Sequence, residues 1–239
     1  MYTDMIRNKL NKNGLSFREE LPDQLNVYLT LLEEWNSRID LTAVTDSDET
    51  ADKHFIDSLA VLKTDLIRDH STVIDVGTGA GFPGMVLAMA RPDLQVTLMD
   101  SQQKRLTFLK KVAENAGVSN VAIVHARAED GARKTDFRER FDYAVARALA
   151  PLNVLCEYLL PYIKTEGYAL CWKGPALKDE IEIGRRAAFL LGGRLEMPVS
   201  CPVADRTWEH VILPIHKVQH TPTIYPRKAG TPKNKPLGI

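Results

Sequence analysis

The segment VIDVGTGAGFPG, residues 73–84, constrains the fold of this chain more than any other part of the sequence. A short apolar strand ends at Asp75, and glycines follow at positions 77, 79 and 81. Because glycine has no Cβ and tolerates positive φ, such a backbone turns sharply and lies close to a ligand. Residues 82–90 are apolar and compatible with a helix, with Pro83 near its start. The segment therefore predicts a strand, a glycine turn and a helix, the first unit of a nucleotide-binding α/β fold.

The spacing of the glycines separates two classes of ligand. Dinucleotide-binding proteins carry Gly-x-Gly-x-x-Gly, in which a pyrophosphate sits on the helix N-terminus. Here the order is Asp75-x-Gly77-x-Gly79-x-Gly81, with an acid two residues before the first glycine. This pattern resembles the first motif of class I S-adenosylmethionine-dependent methyltransferases, whose ligand carries a sulfonium cation and an amino-acid head group. An NAD-dependent oxidoreductase is the disfavoured alternative.

Polar residues follow the next strands, which are predicted over residues 95–99, 121–124 and 142–146. Asp100 ends the first of these, and its carboxylate is expected to accept hydrogen bonds from the ribose hydroxyls of an adenosine. Ala128 and Glu129 follow the second strand, at the edge expected to hold the adenine ring, and Arg147 follows the third. A single acid at a strand end is equally compatible with a helix cap. The cofactor interpretation therefore depends on the whole series at βαβ spacing.

Length and composition indicate one domain with an extension. The 239 residues are enough for a single core, and no apolar run approaches the roughly 20 residues of a membrane span. No apolar stretch follows the basic N-terminus, so a secretory signal is not expected. The three cysteines form no C-x-x-C pair, which argues against a zinc site and fits a reducing compartment. We therefore expect a cytoplasmic protein with no metal and no membrane partner.

The charge is unevenly distributed along the chain. The net charge is zero, which counts mildly against a nucleic-acid partner. Residues 1–70 hold 14 acids and 8 bases, however, while residues 211–239 hold 5 bases and no acid. A basic face is therefore compatible with the neutral total.

Hydrophobic periodicity predicts the remaining elements. An amphipathic helix is expected over 16–41 and a second helical segment over 47–69. Beyond the first four strands we predict helices over 151–163 and 178–191 and strands over 168–172, 195–199 and 210–217, the last two forming a hairpin. The fold class is thus α/β, a doubly wound, mostly parallel seven-stranded sheet of the Rossmann-like type. The predicted domains are an N-terminal helical extension (1–70), a cofactor-binding domain (71–218) and a basic, proline-rich tail (219–239).

Several blocks spread from about Leu21 to Leu237 resemble the RsmG family, also called glucose-inhibited division protein B. They are LLEEWNSRIDLTAV, KHFIDSL, VIDVGTGAGFPG, MDSQQKR, ARAED, WKG and YPRKAGTPKNKPL. Members of this family are guanine-N7 methyltransferases of small-subunit ribosomal RNA. The sequence departs from the family at Asp40, where Asn is common, and at Gln102-Gln103. Neither departure removes a residue of the expected site.

The resemblance implies a ligand, a partner and a set of contacts. S-adenosylmethionine would lie against Gly77, Phe82, the Ala128–Glu129 pair and Arg147. The partner would be 16S rRNA or the small ribosomal subunit, with a monomer favoured and the oligomeric state left open. Two alternatives remain: a class I methyltransferase for a small molecule or protein, and a ribosome-associated factor that has lost transfer.

The expected chemistry agrees with the residues present. Guanine N7 has a lone pair in the base plane and no proton, so methylation requires alignment rather than a general base. The sequence contains no obvious acid–base dyad, nucleophile elbow or metal cluster. This absence is expected for N7 and would be awkward for an amine or hydroxyl substrate.

Three basic residues are candidates for positioning the substrate: Lys104, Arg127 and Lys173. Arg127 and Lys173 follow strands at the ligand-binding edge, and Lys104 falls in the first turn of a helix, where a cation opposes the helix dipole. Arg and Lys dominate phosphate recognition, although solvated surface charges are the alternative. His54 and Asp57 lie three residues apart on a helix, and they either face the site or only pack.

Aromatic residues and the tail leave further alternatives. Phe82 and Trp172 are candidates for stacking on a base, with core packing favoured for Trp172. The tail either follows RNA backbone, folds back over the cofactor pocket or remains solvated, and its basic residues favour the first alternative. Removal of residues 223–239 is then expected to weaken RNA binding and flatten its salt dependence.

Overall fold

A central eight-stranded sheet organises the protein, and the computed structural model describes residues 2–239 of the chain. The strands are β1 (Thr72–Val76), β2 (Gln95–Asp100), β3 (Val121–His125), β4 (Phe141–Arg147), β5 (Ile163–Lys173), β6 (Gly193–Leu195), β7 (Val199–Ser200) and β8 (Val211–Lys217). They lie in the order β3-β2-β1-β4-β5-β8-β6, with β7 also paired to β8. Strands β1 to β5 are parallel, and β8 runs antiparallel to its three neighbours.

The strand order changes direction between β1 and β4. From β1 the chain builds outward to β3, then returns to place β4 on the other side of β1. In open α/β sheets the crevice at the carboxyl ends of strands on either side of such a reversal is where ligands bind. The topology therefore places the glycine turn after β1 and Arg147 at the end of β4 beside the same crevice.

Helices cover both faces of the sheet. They are α1 (Thr3–Lys12), α2 (Leu21–Asn36), α3 (Ser47–Thr50), α4 (Asp57–Leu59), α5 (Gly84–Ala90), α6 (Gln103–Ala116), α7 (Ala128–Gly131), α8 (Leu152–Leu159), α9 (Leu177–Leu190) and α10 (Thr231–Asn234). One buried cluster joins α1, α2, α5 and α6 to one face, and a second joins α8 and α9 to the other. Neighbouring β4 residues enter different clusters, Val145 the first and Ala144 the second, because side chains alternate along a strand.

The N-terminal extension is helical, as expected, but its elements are shorter than the pattern suggests. The predicted helix over 16–41 is α2, which begins at Leu21 with Pro22 in its first turn and ends at Asn36. The segment predicted over 47–69 stops at Lys63 and includes a π-helical turn, Ala51–Ile56, and a 3₁₀ turn, Ala60–Lys63. The apolar face of α2 is buried. It joins the sheet core through the Tyr28 side chain, which contacts Phe55, Phe82 and Phe108.

The sheet has eight strands rather than seven because the predicted strand over 195–199 is interrupted. Leu195 pairs with Ile215, and Val199 pairs with Ile212. The chain therefore advances four residues from Leu195 to Val199 while the partner strand β8 advances only three. The extra residue is a bulge, and Pro198 lies within it, where a residue without an N–H is tolerated. Strands β6 and β7 therefore pair separately with β8.

The C-terminal tail packs on the domain, so the alternative of a solvated tail is wrong. Arg227 pairs with the fully buried carboxylate of Glu157, with Nη2 2.6 Å from Oε2. Arg138 donates to the carbonyls of Tyr225 and Thr221, both at 2.8 Å. The buried carboxylate holds the tail because an unpaired charge there would be strongly unfavourable.

Candidate functional site

Two adjoining cavities lie at the carboxyl end of the central strands. The main cavity has a volume of about 640 Å³ and the side cavity about 210 Å³. Both are lined by Gly77, Arg105 and Leu149, so they are two parts of one cleft. The larger volume lies within the usual range of small-molecule sites, roughly 300–1,000 Å³.

One wall of the main cavity, the glycine-turn wall, is the turn formed by residues 77–82, all of which except Gly81 line the cavity. The amides of Gly77 and Thr78 both donate to the Met99 carbonyl, at 2.8 and 2.9 Å, which fixes the turn to β2. Gly77 and Gly79 have φ of +70° and +58° and line the cavity, and a Cβ on Gly79 would meet nothing closer than 3.9 Å. Gly81 is also at positive φ but is buried against the Tyr28 hydroxyl. The first two glycines therefore face the cleft, and Gly81 allows the helical layer to approach.

Asp75 supports this wall from below. Its Oδ2 accepts hydrogen bonds from the Thr78 hydroxyl at 2.7 Å and from the Gly84 amide at 2.8 Å. Its Oδ1 is buried and has no hydrogen-bond partner within residues 2–239. Burial raises the pKa of this carboxyl to about 6. Asp75 thus ties β1 to α5, and it lies behind the turn rather than in the lining of either cavity.

Asp100 is already engaged by the backbone. Its Oδ2 accepts from the Gly79 amide at 2.9 Å and its Oδ1 from the Gln102 amide at 2.8 Å, while Arg105 Nη1 lies 3.6 Å away. A carboxylate has about four lone-pair sites, so each oxygen can still accept from a ligand hydroxyl. Asp100 lines the side cavity, where that ligand group would lie.

The tail closes the side cavity. Ala128 and Glu129 line it from the start of α7, and Gly230 and Lys233 line it from the tail. The Gly230 amide donates to Glu129 Oε1 at 2.8 Å, which joins the two segments. Of the three alternatives for the tail, folding back over the pocket is therefore the one that the structure contains. The exposed Lys228, Lys233 and Lys235 leave contact with RNA open.

A second wall of the main cavity, the composite wall, is assembled from distant segments and centres on Arg147. Its guanidinium donates to the Lys53 carbonyl at 2.6 Å, to Asp57 Oδ2 at 2.8 Å and to His54 Nδ1 at 3.0 Å. Asp57 Oδ1 is 2.8 Å from His210 Nδ1. Burial alone would raise the pKa of Asp57, but hydrogen bonds from His210 and Arg147 hold it below its ordinary value. The composite wall therefore contains an ionised carboxylate that holds Arg147 in place.

His54 links the two walls. Its ring stacks on Phe82 with centroids 4.5 Å apart and planes within 9°, and its Nε2 lies 2.7 Å from the Thr42 hydroxyl. Burial, followed by the charge of Arg147, lowers the pKa of His54 to about 3. The neutral ring accepts from Arg147 through Nδ1, so Nε2 carries the proton and donates to Thr42. His54 and Asp57 therefore face the site rather than only packing.

The aromatic candidates are not free to stack on a base. The Phe82 ring is already stacked with Tyr28 as well as His54, and Arg147 lies 5.2 Å from its centroid. Trp172 is buried, as favoured from the sequence, and its indole N–H donates to the Asp57 carbonyl at 3.0 Å. Both rings act as rigid parts of the walls.

The predicted substrate-positioning residues lie in three different places. Lys173 lines the main cavity and its Nζ lies 2.6 Å from Glu180 Oε2. Arg127 is exposed and lines the side cavity. Lys104 is exposed on α6 and is not part of the lining of either cavity. Their role in substrate positioning stays a prediction.

Sequence reasoning did not identify several polar groups of the cleft, among them Thr42, Glu180, His210 and the Gly230 amide. His210 and Gly230 lie 153 and 101 positions from their partners Asp57 and Glu129, a separation that neither spacing nor periodicity relates. Thr42 and Glu180 are only 12 and 7 positions from His54 and Lys173, but each pair joins two different elements whose packing the sequence pattern does not specify. Among residues 2–239, no helix is long and apolar enough to cross a membrane, and no group of three His, Cys, Asp or Glu side chains is arranged to hold a metal ion.

Comparisons with known proteins agree with this architecture. A family model described as rRNA small subunit methyltransferase G matches residues 22–208. A protein named ribosomal RNA small subunit methyltransferase G from Alkaliphilus metalliredigens (strain QYMF) is 44% identical over 235 residues, covering 98% of each chain. One of the same name from Clostridium perfringens (strain 13 / Type A) is 42% identical over 236 residues, covering 99% of each chain.

The comparison with solved structures concerns the fold. A SAM-dependent methyltransferase from Aquifex aeolicus superposes with a TM-score of 0.51 at 20% identity, covering 67% of this chain and 90% of that chain. An identity this low is evidence for the fold alone. The predicted class I methyltransferase fold is confirmed.

Proposed function

Because the chain belongs to the rRNA small subunit methyltransferase G family, we propose that it transfers a methyl group from S-adenosylmethionine to N7 of a guanine in 16S rRNA. The observation that carries the proposal is similarity along 98% of the chain to a curated relative of that name. The range matched by the family model, residues 22–208, includes both walls of the cleft except His210. The N7 position rests on the family resemblance and on the absence of any need for a base there.

The cleft fits the proposed cofactor. The open space at Gly79 and the positive φ of Gly77 leave room for a ligand against the backbone. Asp100, Ala128 and Glu129 in the side cavity would hold the adenosine. Asp75 lines neither cavity, and we assign it to the cofactor site through the glycine turn, which it holds by hydrogen bonds from the Thr78 hydroxyl and the Gly84 amide.

Methyl transfer to guanine N7 requires no general base from the protein, because N7 carries no proton. When bound, S-adenosylmethionine supplies a methyl carbon on a sulfonium sulfur, which a nitrogen with a free lone pair can accept without losing a proton. The residues of the cleft therefore have to hold and align their ligands, a contribution of roughly 7–11 kcal/mol in well-oriented reactions. Arg147, fixed by three hydrogen bonds, supplies a rigid cation beside the glycine-turn wall.

Substrate positioning is assigned to the basic residues Lys104, Arg127 and Lys173. Lys173 lines the main cavity, where a base would enter, and the exposed Arg127 and Lys104 are available to RNA phosphates. The partner is 16S rRNA or the small ribosomal subunit, and the protein acts in the cytoplasm, where that substrate lies. We favour a monomer, with residues 1–70, 71–218 and 219–239 as extension, catalytic domain and tail.

Methyl transfer from labelled S-adenosylmethionine into small subunits that lack the modification tests the proposal, with protein-free RNA in parallel. The product is treated with borohydride and aniline, which cleave the strand at 7-methylguanine. Label with scission at one guanine is the expected result. Cofactor binding without label in RNA would contradict the proposal and favour a class I methyltransferase for a small molecule or protein.

A further inference from the structure

An ion pair lines the main cavity and is not among the residues assigned to the cofactor. Lys173 is the last residue of β5, and Glu180 lies in the first turns of α9. Lys173 Nζ donates to Glu180 Oε2 at 2.6 Å, and the Leu152 amide donates to the same oxygen at 2.7 Å. Both residues line the main cavity. The pair is therefore fixed at three points: a strand end, a helix and the start of α8.

Hydrogen-bonding capacity remains on both partners. An ammonium group has three donors, and Lys173 uses one of them within residues 2–239. Glu180 Oε1 accepts no hydrogen bond from the described part of the chain, because both of its contacts use Oε2. The cavity thus presents donors and a free carboxylate oxygen side by side.

The surroundings of the pair suit a planar base. Three apolar side chains line the same cavity: Leu149, Leu155 and Leu177. Enzymes that act on a base take it into such a pocket, hold its faces between apolar groups and read its Watson–Crick edge by hydrogen bonds. The paired side chains are only 11% and 25% exposed, whereas the Arg185–Glu182 pair on the outside of α9 is 57% and 75% exposed.

We propose that Lys173 and Glu180 determine specificity for guanine by reading its Watson–Crick edge. Lys173 Nζ donates to O6, and Glu180 Oε1 accepts from N1–H and the N2 amino group. This assignment rests on the proposed function and adds Glu180 to the residues that select the base. It also leaves N7, on another edge of the ring, free for the methyl group.

The same pair rejects adenine. Adenine carries an amino donor where guanine has O6, and an acceptor where guanine has N1–H. Lys173 would then face a donor and Glu180 Oε1 an acceptor. The ion pair between them would remain, but the free donors of Lys173 and the free Oε1 would lose water without gaining a hydrogen bond. A site built to hydrogen-bond one ligand rejects an analogue lacking the matching group by large factors for this reason.

The test is a cycle that couples Glu180 to the N2 amino group. Two small-subunit RNAs serve as substrates, one with guanosine and one with inosine at the modified position. Inosine differs from guanosine only in lacking the N2 amino group. Each RNA is made by ligation of fragments and is assembled into subunits. We expect wild type to prefer guanosine by about tenfold in kcat/KM, the size of a hydrogen bond to a charged group. Glu180→Gln should lower kcat/KM on guanosine at least tenfold and reduce the preference to about twofold.

Lys173→Gln is the second variant. It should lower kcat/KM on both RNAs by the same factor, because guanosine and inosine both carry O6. Glu182→Gln, two positions from Glu180 on the exposed side of α9, is the matched control and should change neither rate. Melting temperature and the S-adenosylmethionine Kd are measured for every variant. The Kd should be unchanged, and a lower melting temperature is expected only in Lys173→Gln and Glu180→Gln, which break the pair.

The outcomes separate the two proposals. A guanosine preference equal in wild type and Glu180→Gln would overturn the base-reading role while leaving methyl transfer intact. Equal losses of kcat/KM on guanosine and inosine RNA in Glu180→Gln would assign the pair to the cofactor pocket where the cofactor Kd rises by the same factor, and to the fold where the Kd is unchanged. An absence of methyl transfer by the wild type to either RNA would contradict the proposed function and, with it, the role of the pair.

Discussion

The two walls of the main cavity are built in contrasting ways. The glycine-turn wall comes from six consecutive residues, 77–82, whose shape follows from positive φ and two amides on the Met99 carbonyl. The composite wall brings together side chains from the helical layer, β4, β5 and the segment before β8. Arg147 and Asp57, its central ion pair, are 90 positions apart.

This contrast shows where each wall is vulnerable. In a wall made by backbone conformation, few residue types can replace the glycines, but the shape of the wall depends little on contacts with distant segments. A wall made by a buried ion pair fails when either partner is removed, because the remaining charge loses its compensation. Substitutions at the two walls should therefore affect stability and ligand affinity in different proportions.

The largest effect is expected for Asp57→Asn in the composite wall. Asp57 is 1% exposed and serves both Arg147 and His210, so losing its charge leaves Arg147 poorly compensated. We expect the free energy of unfolding to fall by about 3–5 kcal/mol, as when other buried pairs are broken. Urea denaturation measures this change. Asp205→Asn, at an exposed pair with Lys12, is the control and should change little.

In the glycine-turn wall, Gly77→Ala should act mainly on the ligand. Its Cβ would lie 2.5 Å from Leu149 Cδ1 and push that side chain into the cleft. Gly117→Ala is the matched control, since Gly117 has φ +66° and nothing within 4 Å. Both variants should lose about 1–2 kcal/mol to left-handed backbone strain.

Only Gly77→Ala is expected to weaken S-adenosylmethionine binding, by about tenfold or more, which corresponds to about 1.4 kcal/mol. Isothermal titration calorimetry measures both variants. Equal cofactor affinities in the two would show that the turn does not touch the ligand, and the contrast between the walls would then disappear.

The link between the walls should be sensitive to pH. Folding lowers the pKa of His54 from 6.5 to about 3, so between these values the unfolded chain binds a proton there and the folded protein does not. The stability that neutral His54 contributes is therefore complete above about pH 6.5. It is lost as the pH falls toward 3, by about 1.4 kcal/mol per pH unit.

His54→Gln removes this titration and leaves the others. The stability advantage of wild type over the variant should shrink between pH 7 and pH 5, as measured by denaturation at each pH. Asp75, whose raised pKa gives the opposite trend, is present in both proteins and cancels. An advantage independent of pH would mean that folding does not change the pKa of His54, and one that grows toward pH 5 would mean that His54 is protonated in the fold.

The smallest effect is expected in the tail, where paired and free cations lie close together. Lys228 and Lys235 are exposed, whereas Arg227 is held by Glu157. Replacing both lysines by Ser should leave stability unchanged and reduce the salt slope of RNA binding by about 0.7 for each single-strand phosphate that the tail no longer neutralises. Lys164→Ser, at the amino end of β5, is the control. An unchanged slope would mean that the tail serves only the fold and the side cavity.

The sequence by itself determined the fold class and the glycine-turn wall. Strand, turn and helix patterns are local, so a dozen residues were enough to place Asp75 at the end of a strand and the glycines in the turn that follows it. The βαβ spacing placed Asp100, Glu129 and Arg147 at one edge of the sheet. The eighth strand was missed because a bulge at Pro198 depends on the partner strand β8. Pairing register of this kind cannot be read from one strand alone.

Tertiary structure alone decided which side chains complete the cleft. Burial brings Asp57 to both Arg147 and His210, and it places the Gly230 amide on Glu129. These contacts form because buried charges and polar groups require partners, and the partner that packing supplies can lie anywhere in the chain. Local patterns therefore fixed the part of the site made by backbone, and long-range packing fixed the part made by side chains.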